Sequence, residues 1–541
     1  MTGSLHPLCG LPNLTAMPER ILFTTAIDYT NAAPHIGHAY EKVLTDVLTR
    51  FERLRGRPAF FLTGVDQHGQ KVQQSAEKAG LSPLEFASQC TEKFIALWQK
   101  LGVQYDGWAA TTHSLHKTLV QKVLQNLFDK GQLYKQAHRG FYSVRQEQFL
   151  TDKERDESGQ FGPEWGEVVE LEEENWYFRL CEHRDWLLGF IESHELCVVP
   201  SFRRGELRNA VEKISGDLCI SRPKARLSWG IELPFDPNFV TYVWFDALLN
   251  YLSFTGYLAE PAGDLPDFQT LWPARAQVIG KDILIPAHGI YWTIMLHAMG
   301  FSDAQIPTLL VHGWWNISGA KMSKSLGNSV DPSLLVDRYG VNALRYYLMA
   351  DITTGKDADF SEERLRMRFN EELANNVGNL LNRTLNMAHR YRMGTLLRSE
   401  TQDADLLALS QTEAPAAVAA FTEAMDQYQV DAGLRAVIQF ARVCNQLIES
   451  AAPWKLAKEP AQADRLDAVL YHLSESLRII AILLTPVLPD TAPAMLAQLG
   501  WPHAPALAEA AWGGLPDGHI LGKPVPLFPR LEEPDPAAEQ S

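Results

Sequence analysis

Apolar and polar residues alternate on two different periods along this chain. Near the start, ILFTTAI (residues 21–27) and PAFFLTG (58–64) are short, nearly unbroken apolar runs, the pattern of strands buried on both faces. Between them Val43, Leu44, Val47, Leu48, Phe51 and Leu54 recur every three or four residues and Gly56 comes next as a stop, so the spacing predicts a helix. A strand, helix, strand unit closes with a right-handed crossover and parallel strands. That places the turn after the first strand, with His35, Gly37 and His38, at the carboxyl edge of a sheet and the amino end of a helix. A second set of α/β signals runs from about residue 240 to 349, in YVWFDALL, in AQVIG before Lys281, and in TLLVHGW before the loop GAKMSKSLGNS. Residues of about 120–235 separate the two halves; they carry many charges, few long apolar periods and the acidic EVVELEEEN, and read as an inserted domain. From about Arg364 the period is helical throughout, in RLRMRFNEELANNVGNLLNRTLNMAHRY, in APAAVAAFTEAMDQYQVDAGLRAVIQFARVCNQLIES and in DRLDAVLYHLSESLRIIAILL, which predicts an all-helical bundle.

Composition narrows this picture. At 541 residues the chain exceeds what one core organises, so two to four domains are expected. The nearest approach to a membrane span, IIAILLTPVLP, is short and broken by Pro486 and Pro489. The opening MTGSLHPLCGLPNLTAMPER lacks the basic start and apolar block of a signal peptide, so a cytoplasmic location is expected, and a start at Met17 is expected to leave activity intact. Cys9, Cys90, Cys181, Cys197, Cys219 and Cys444 form no CxxC pair and no regular spacing, which argues against a disulfide framework and a zinc knuckle. A net charge of −16 counts against nucleic acid, yet net charge averages over all faces. RLRMR (364–368) and FRRGELR (202–208) could each form a local basic surface, although either alone reads more simply as a solvated helix face.

The chemistry concentrates in two loops. If the crevice binds a nucleoside triphosphate, Gly37 lets it approach backbone, the helix amino end favours phosphate, and two imidazoles can donate hydrogen bonds to an α-phosphate as charge builds there. Alone, HIGH (35–38) has the ordinary reading of a helix cap or surface residues. The loop GAKMSKSLGN places Lys321 and Lys324 three apart among Gly and Ser, an anion clamp suited to developing pyrophosphate; alone it would be a solvated basic loop. Two phosphate-type elements at the edges of two halves of one sheet favour the chemical reading of both.

HIGH and KMSKS (321–325), in this order, resemble the class I aminoacyl-tRNA synthetases. TGVDQHGQKVQQSA, DLCISRP, WGIELP, YVWFDALLNYLS, VIGKDI, FNEELANNVGNLLNRTLN and APWKLAK are similar to the methionine-specific family in particular, over roughly residues 21–532. The resemblance implies an α/β fold: a Rossmann-like parallel-sheet catalytic domain split by an inserted domain and followed by an all-α anticodon-binding helical bundle. It implies the division 1–20 (flexible extension), 21–119 and 236–305 (the catalytic halves), 120–235 (the insertion), 306–363 (a stem-contact region with KMSKS), 364–532 (the bundle) and 533–541 (a disordered tail). The implied activity joins L-methionine to tRNA(Met) through methionyl-adenylate, with ATP accompanied by Mg2+.

Carried over residue by residue, the resemblance makes Ile27, Tyr29, Trp244, Ala247 and Tyr251 the wall of a methionine pocket, with Asp66 on the substrate ammonium. An aromatic slot suits a thioether, which must be selected by shape and sulfur contacts. His35, His38, Lys321 and Lys324 are implied as catalytic, and His35, Gly37, His38, Gly280, Asp282 and Lys324 as the ATP site. Asn379, Arg383 and Trp454 are implied as readers of the anticodon.

Two departures stand out. Where much of the family has a zinc knuckle, FYSVRQEQFL carries Ser143 and Gln146, so no zinc is expected. GKDILIPAHGIYW is one residue longer than usual between GKD and the tryptophan, leaving His288 or Ala287 as the pocket residue. Another class I synthetase and a catalytically silent RNA-binding relative are the alternatives; the insertion is too short for a large editing domain, and the intact histidines and lysines argue against decay. The chain stops soon after PLFPRLE, and a monomer is expected.

Overall fold

The computed structural model describes residues 19–144, 148–150, 152–156, 158–259, 265–317, 319–321, 330–399, 403–501 and 503–533. Gln146, Lys324, the expected N-terminal extension before residue 19, the tail from residue 534 and the side chain of Lys321 lie outside that description. The chain divides into two compact units, residues 1–33, 62–94 and 106–311, and residues 34–61, 95–105 and 312–541.

A seven-stranded sheet runs in the order Asp28–Tyr29, Ala59–Asp66, Ile21–Thr25, Ala276–Gly280, Leu309–His312, Val198–Val199, with Gly107–Ala110 also paired to Ala59–Asp66. Phe23 opposite Ala276, Leu62 opposite Gly107 and Leu309 opposite Val198 are parallel pairings. Ala59–Asp66 is buried along its whole length, as a strand covered on both faces must be. It extends two residues beyond the apolar run, where Val65 and Asp66 pair in parallel with Asp28 and Tyr29, and inside it Thr63 Oγ1 lies 2.7 Å from Thr25 Oγ1.

Within residues 120–235 the first unit builds a second, antiparallel sheet. Leu133–Ser143 pairs along eleven residues with Val168–Phe178, flanked by Gln148–Leu150 and Leu218–Cys219. At the far end of this arm, where the family's knuckle would lie, Ser143 is buried and its hydroxyl donates to the Trp165 carbonyl at 2.5 Å. The Arg155 guanidinium lies 4.7 Å from the Phe141 ring and 4.4 Å from the Phe161 ring, and donates to the Gly159 carbonyl at 2.6 Å. Asp156 accepts from the Ser158 hydroxyl and backbone and from the Gln160 backbone. A cation held between two rings and an Asp-capped turn order this segment with hydrogen bonds and packing.

The second unit gathers the Ile36–Leu54 helix and the C-terminal helices. Val430–Ala451 and Ala463–Leu484 are its long members, and the latter is buried over most of its length. Arg345, 1% exposed, ion-pairs with Asp46 at 2.7 Å and donates to the carbonyls of Leu101, Pro486 and Val487. Arg55 at the other end of the first helix makes two 2.6 Å bonds to Asp426. Among the described residues no helix is long and apolar enough to cross a membrane.

Candidate active site

The first unit contains a cavity of about 210 Å³. Ile27, Tyr29, Asp66, Trp244, Ala247 and Tyr251, the six residues expected from the resemblance, and His288, one of the two candidates for a seventh, all line it, with Ala26, Lys71, Tyr242, Val243, Leu248, Asn250 and Ile283. Its floor is two short helices, Val243–Ala247 and Asn250–Ser253; Trp244, Ala247, Leu248 and Tyr251 recur at helical spacing and so share a face. Gly69 closes the loop after Asp66 at φ +103°, and a Cβ there would lie 2.5 Å from Tyr29 Oη, so both conformation and space require glycine.

The chain kinks at Ile285 (φ −118°, ψ 123°) before winding on, and the Thr293 N–H bonds to the His288 carbonyl five residues back. His288 lines the cavity and Ala287 does not. His288 Nδ1 sits 3.0 Å from the Ile283 carbonyl, which only accepts, so Nδ1 carries the proton and Nε2 accepts from Tyr251 Oη at 2.8 Å.

Behind the cavity lies a buried network that sequence reasoning missed. Asp246, between Trp244 and Ala247, accepts from His68 Nδ1 at 2.7 Å and His116 Nε2 at 2.7 Å, and His116 Nδ1 lies 2.6 Å from Ser253 Oγ. Burial alone would raise the Asp246 carboxyl, but the charge of His68 and the hydrogen bonds of both imidazoles overturn this and lower it from 3.8 to about 2. The backbone N–H of His68 reaches Asp66 Oδ1 at 3.3 Å, so the network joins the two segments that supply the cavity wall. One acidic residue inside the apolar run VWFDALL was the available signal. Gly280 ends the strand Ala276–Gly280 and Asp282 is exposed in the turn after it; neither lines the cavity.

In the second unit His35 is the N-cap of the Ile36–Leu54 helix. His35 Nδ1 accepts from the Gly37 N–H and His38 Nδ1 from the His35 N–H, both at 3.1 Å, and the rings lie 3.9 Å apart. Nδ1 as acceptor puts the proton of each neutral ring on Nε2. A Cβ at Gly37 would stand 3.0 Å from the His35 ring, so glycine lets that ring fold back onto the helix start. The Ile36 N–H donates to the Val330 carbonyl at 3.2 Å, and Lys321 closes a hairpin opposite Asn316, so the helix start and the flanks of the lysine loop belong to one hydrogen-bonded region. His312 Nε2, on the strand leading into that hairpin, contacts Glu41 Oε2 at 3.1 Å.

Of the three bundle residues, Arg383 and Trp454 come together: the guanidinium lies 5.9 Å from the indole, and Arg383 also pairs with Glu449 at 2.7 Å. Trp454 lies in the short helix Pro453–Leu456, directly after Ala452, whose φ of 46° ends Val430–Ala451. Asn379 is exposed at the start of the Asn379–Arg392 helix, one turn before Arg383.

The model of class I tRNA synthetases (M) matches residues 21–158 and 165–385, and that of the anticodon binding domain of methionyl tRNA ligase matches 400–540. The chain belongs to the methionyl class I tRNA synthetase family. Within that family the methionine–tRNA ligase of Deinococcus radiodurans is 39% identical, the match covering 99% of this chain and 77% of that protein. The Bacillus subtilis methionine–tRNA ligase is also 39% identical, over 94% of this chain and 77% of its own length. A structure of the Mycobacterium tuberculosis methionyl-tRNA synthetase in complex with methionyl-adenylate superposes with a TM-score of 0.87 at 33% identity, covering 95% of this chain and 100% of that one. Among the described residues no group of three or more His, Cys, Asp or Glu side chains is placed to hold a metal ion.

Proposed function

We propose that this chain is a methionine–tRNA ligase in the cytoplasm, acting as a monomer. A methionine carboxylate oxygen attacks the α-phosphorus of ATP and pyrophosphate leaves; a hydroxyl of the terminal tRNA(Met) ribose then attacks the acyl carbon of methionyl-adenylate and AMP leaves. The observation that carries the reading is the 210 Å³ cavity, where an acid, Asp66, meets an apolar and aromatic wall. Asp66 takes the ammonium, while Ile27, Tyr29, Trp244, Ala247 and Tyr251 enclose the thioether with His288. Tyr251, donating its proton to His288, turns oxygen lone pairs and not a donor toward the pocket, so no hydroxyl proton competes for a hydrogen-bonding side chain.

Gly280 and Asp282, at the end of a parallel strand, receive the adenosine ribose. His35 and His38 donate Nε2–H to the α-phosphate, Gly37 admits it to the helix start, and Lys321 and Lys324 neutralise the departing pyrophosphate. ATP enters as its Mg2+ complex, the metal held through the phosphates. Asn379, Arg383 and Trp454 read the anticodon, Trp454 by stacking and the others by hydrogen bonds to base edges. Amino-acid-dependent exchange of pyrophosphate into ATP, run with a panel of amino acids, tests the reading. Methionine alone should support fast exchange; equal rates with leucine, valine or cysteine would overturn it.

A further inference from the structure

Assigning the cavity to methionine leaves the Asn250 carboxamide of its wall without a task. Asn250 lines the cavity and is 1% exposed. Its Nδ2 donates to the Ala247 carbonyl at 2.6 Å, which sets the orientation of the carboxamide, and Oδ1 has no hydrogen-bond partner among the described residues. A buried acceptor without a donor bears the cost of its lost hydration, and such groups are rare enough to need a reason.

The chemistry of the substrate supplies one. A thioether brings no donor and a carboxylate brings only acceptors, whereas an α-ammonium carries three N–H groups that all lose water on entering an enclosed site. Asp66 is one partner, and its Oδ1 already accepts from the His68 backbone at 3.3 Å and the Thr111 hydroxyl at 3.4 Å. A single carboxylate does not exhaust three diverging donors. We infer that Asn250 Oδ1 is a second acceptor for the α-ammonium, and that Asn250 selects an α-amino acid over the same molecule lacking its amino group. The inference rests on the methionine reading of the cavity and adds a recognition residue to it. It also accounts for the unpartnered oxygen: an acceptor with no donor among the described residues gains one when substrate enters.

The test uses the full chain with Asn250→Leu, which keeps the branching at Cγ and has no acceptor. Four quantities are read: KM for methionine and for ATP in pyrophosphate exchange, inhibition by 4-(methylthio)butanoate, which is methionine without the amino group, and Tm. KM for methionine should rise about 10-fold to 100-fold, the range for a hydrogen bond to a charged group. KM for ATP and inhibition by the des-amino acid should stay within about 2-fold. Tm should change little, because the substitution removes the unsatisfied acceptor together with the Nδ2 bond to the Ala247 carbonyl, two effects of opposite sign. Asn250→Ala carries the same kinetic expectation if the leucine disturbs the Asn250–Ser253 helix. An unchanged KM for methionine in both variants would overturn the inference, as would equal weakening of methionine and its des-amino analogue. Absence of methionine-dependent exchange in the unaltered chain would instead remove the reading of the cavity, and it is seen before any variant is made.

Discussion

Asp246 shows how much one residue can organise. Its carboxyl is held at about 2 between His68 and His116, below the value of about 3.9 for an unfolded chain. A carboxyl with a lowered folded pKa adds stability that is complete above the unfolded value and is lost as pH falls through the folded one. The window here is about pH 4 down to about pH 2. Asp246→Asn should therefore cost about 2 kcal/mol or more at pH 7, with the gap to the unaltered protein narrowing toward pH 2 in denaturant titrations. A gap that stays constant over that range would assign Asp246 a purely steric part. At the same scale, Lys324→Ala should slow adenylate formation roughly 100-fold, about 3 kcal/mol of transition-state stabilisation, with methionine binding nearly unchanged in equilibrium titration. The residues of the cavity wall were legible because their types match a thioether's needs and the family motif carries them. Asp246, His68 and His116 were not, because 178 and 130 residues of chain separate the acid from its two partners.

Among elements, the Ile36–Leu54 helix arises from its own apolar period, and its amino end from His35, whose ring caps the Gly37 N–H. The antiparallel arm of the insertion was harder to see. Its long strands expose one face, so charged residues such as Glu170, Glu172 and Glu174 break the apolar count although they alternate as a half-solvated strand requires. The arm's tip uses Arg155 between Phe141 and Phe161, with Ser143 bonded to Trp165. Two cation–π contacts are worth about 0.5–1 kcal/mol each at a partly exposed site. Arg155→Ala should accordingly raise amide hydrogen exchange in residues 141–143 and 168–170 several-fold while pyrophosphate exchange holds. Protein purified without a metal-binding tag should carry less than one zinc per chain and keep its activity through zinc chelation with Mg2+ resupplied. One tightly held zinc would show that the tip is ordered by metal after all.

At the scale of the whole molecule, the helix that begins at His35 packs with the C-terminal helices in one compact unit through Arg345–Asp46, Arg55–Asp426 and Phe51–Phe421. Substitutions at the bundle surface and at its core should then separate cleanly. Trp454→Ala and Arg383→Ala should each lower aminoacylation of tRNA(Met) about 10-fold to 100-fold and leave adenylate formation without tRNA near its starting rate. Arg345→Met should instead lower both rates together and destabilise the fold by about 2–3 kcal/mol, since it strips the Leu101, Pro486 and Val487 carbonyls of a buried donor and leaves Asp46 with Arg50 as its remaining ion-pair partner. Parallel loss of both rates in Trp454→Ala would mark a folding defect and remove that residue from recognition. The amino-acid sequence by itself determined the first strand, helix, strand unit and the helical C-terminal segments, because hydrophobic period is a local property. It carried six of the seven residues of the cavity wall as well, Ile27, Tyr29, Asp66, Trp244, Ala247 and Tyr251, through family motifs, and left the seventh between His288 and Ala287. Tertiary structure alone decided three things: that His288 and not Ala287 lines the cavity, that Asp246 is clamped by two distant imidazoles, and that Asn250 Oδ1 has no partner among the described residues. Each depends on which groups meet once the chain has closed, and a hydrogen bond between residues far apart in sequence leaves no period along it.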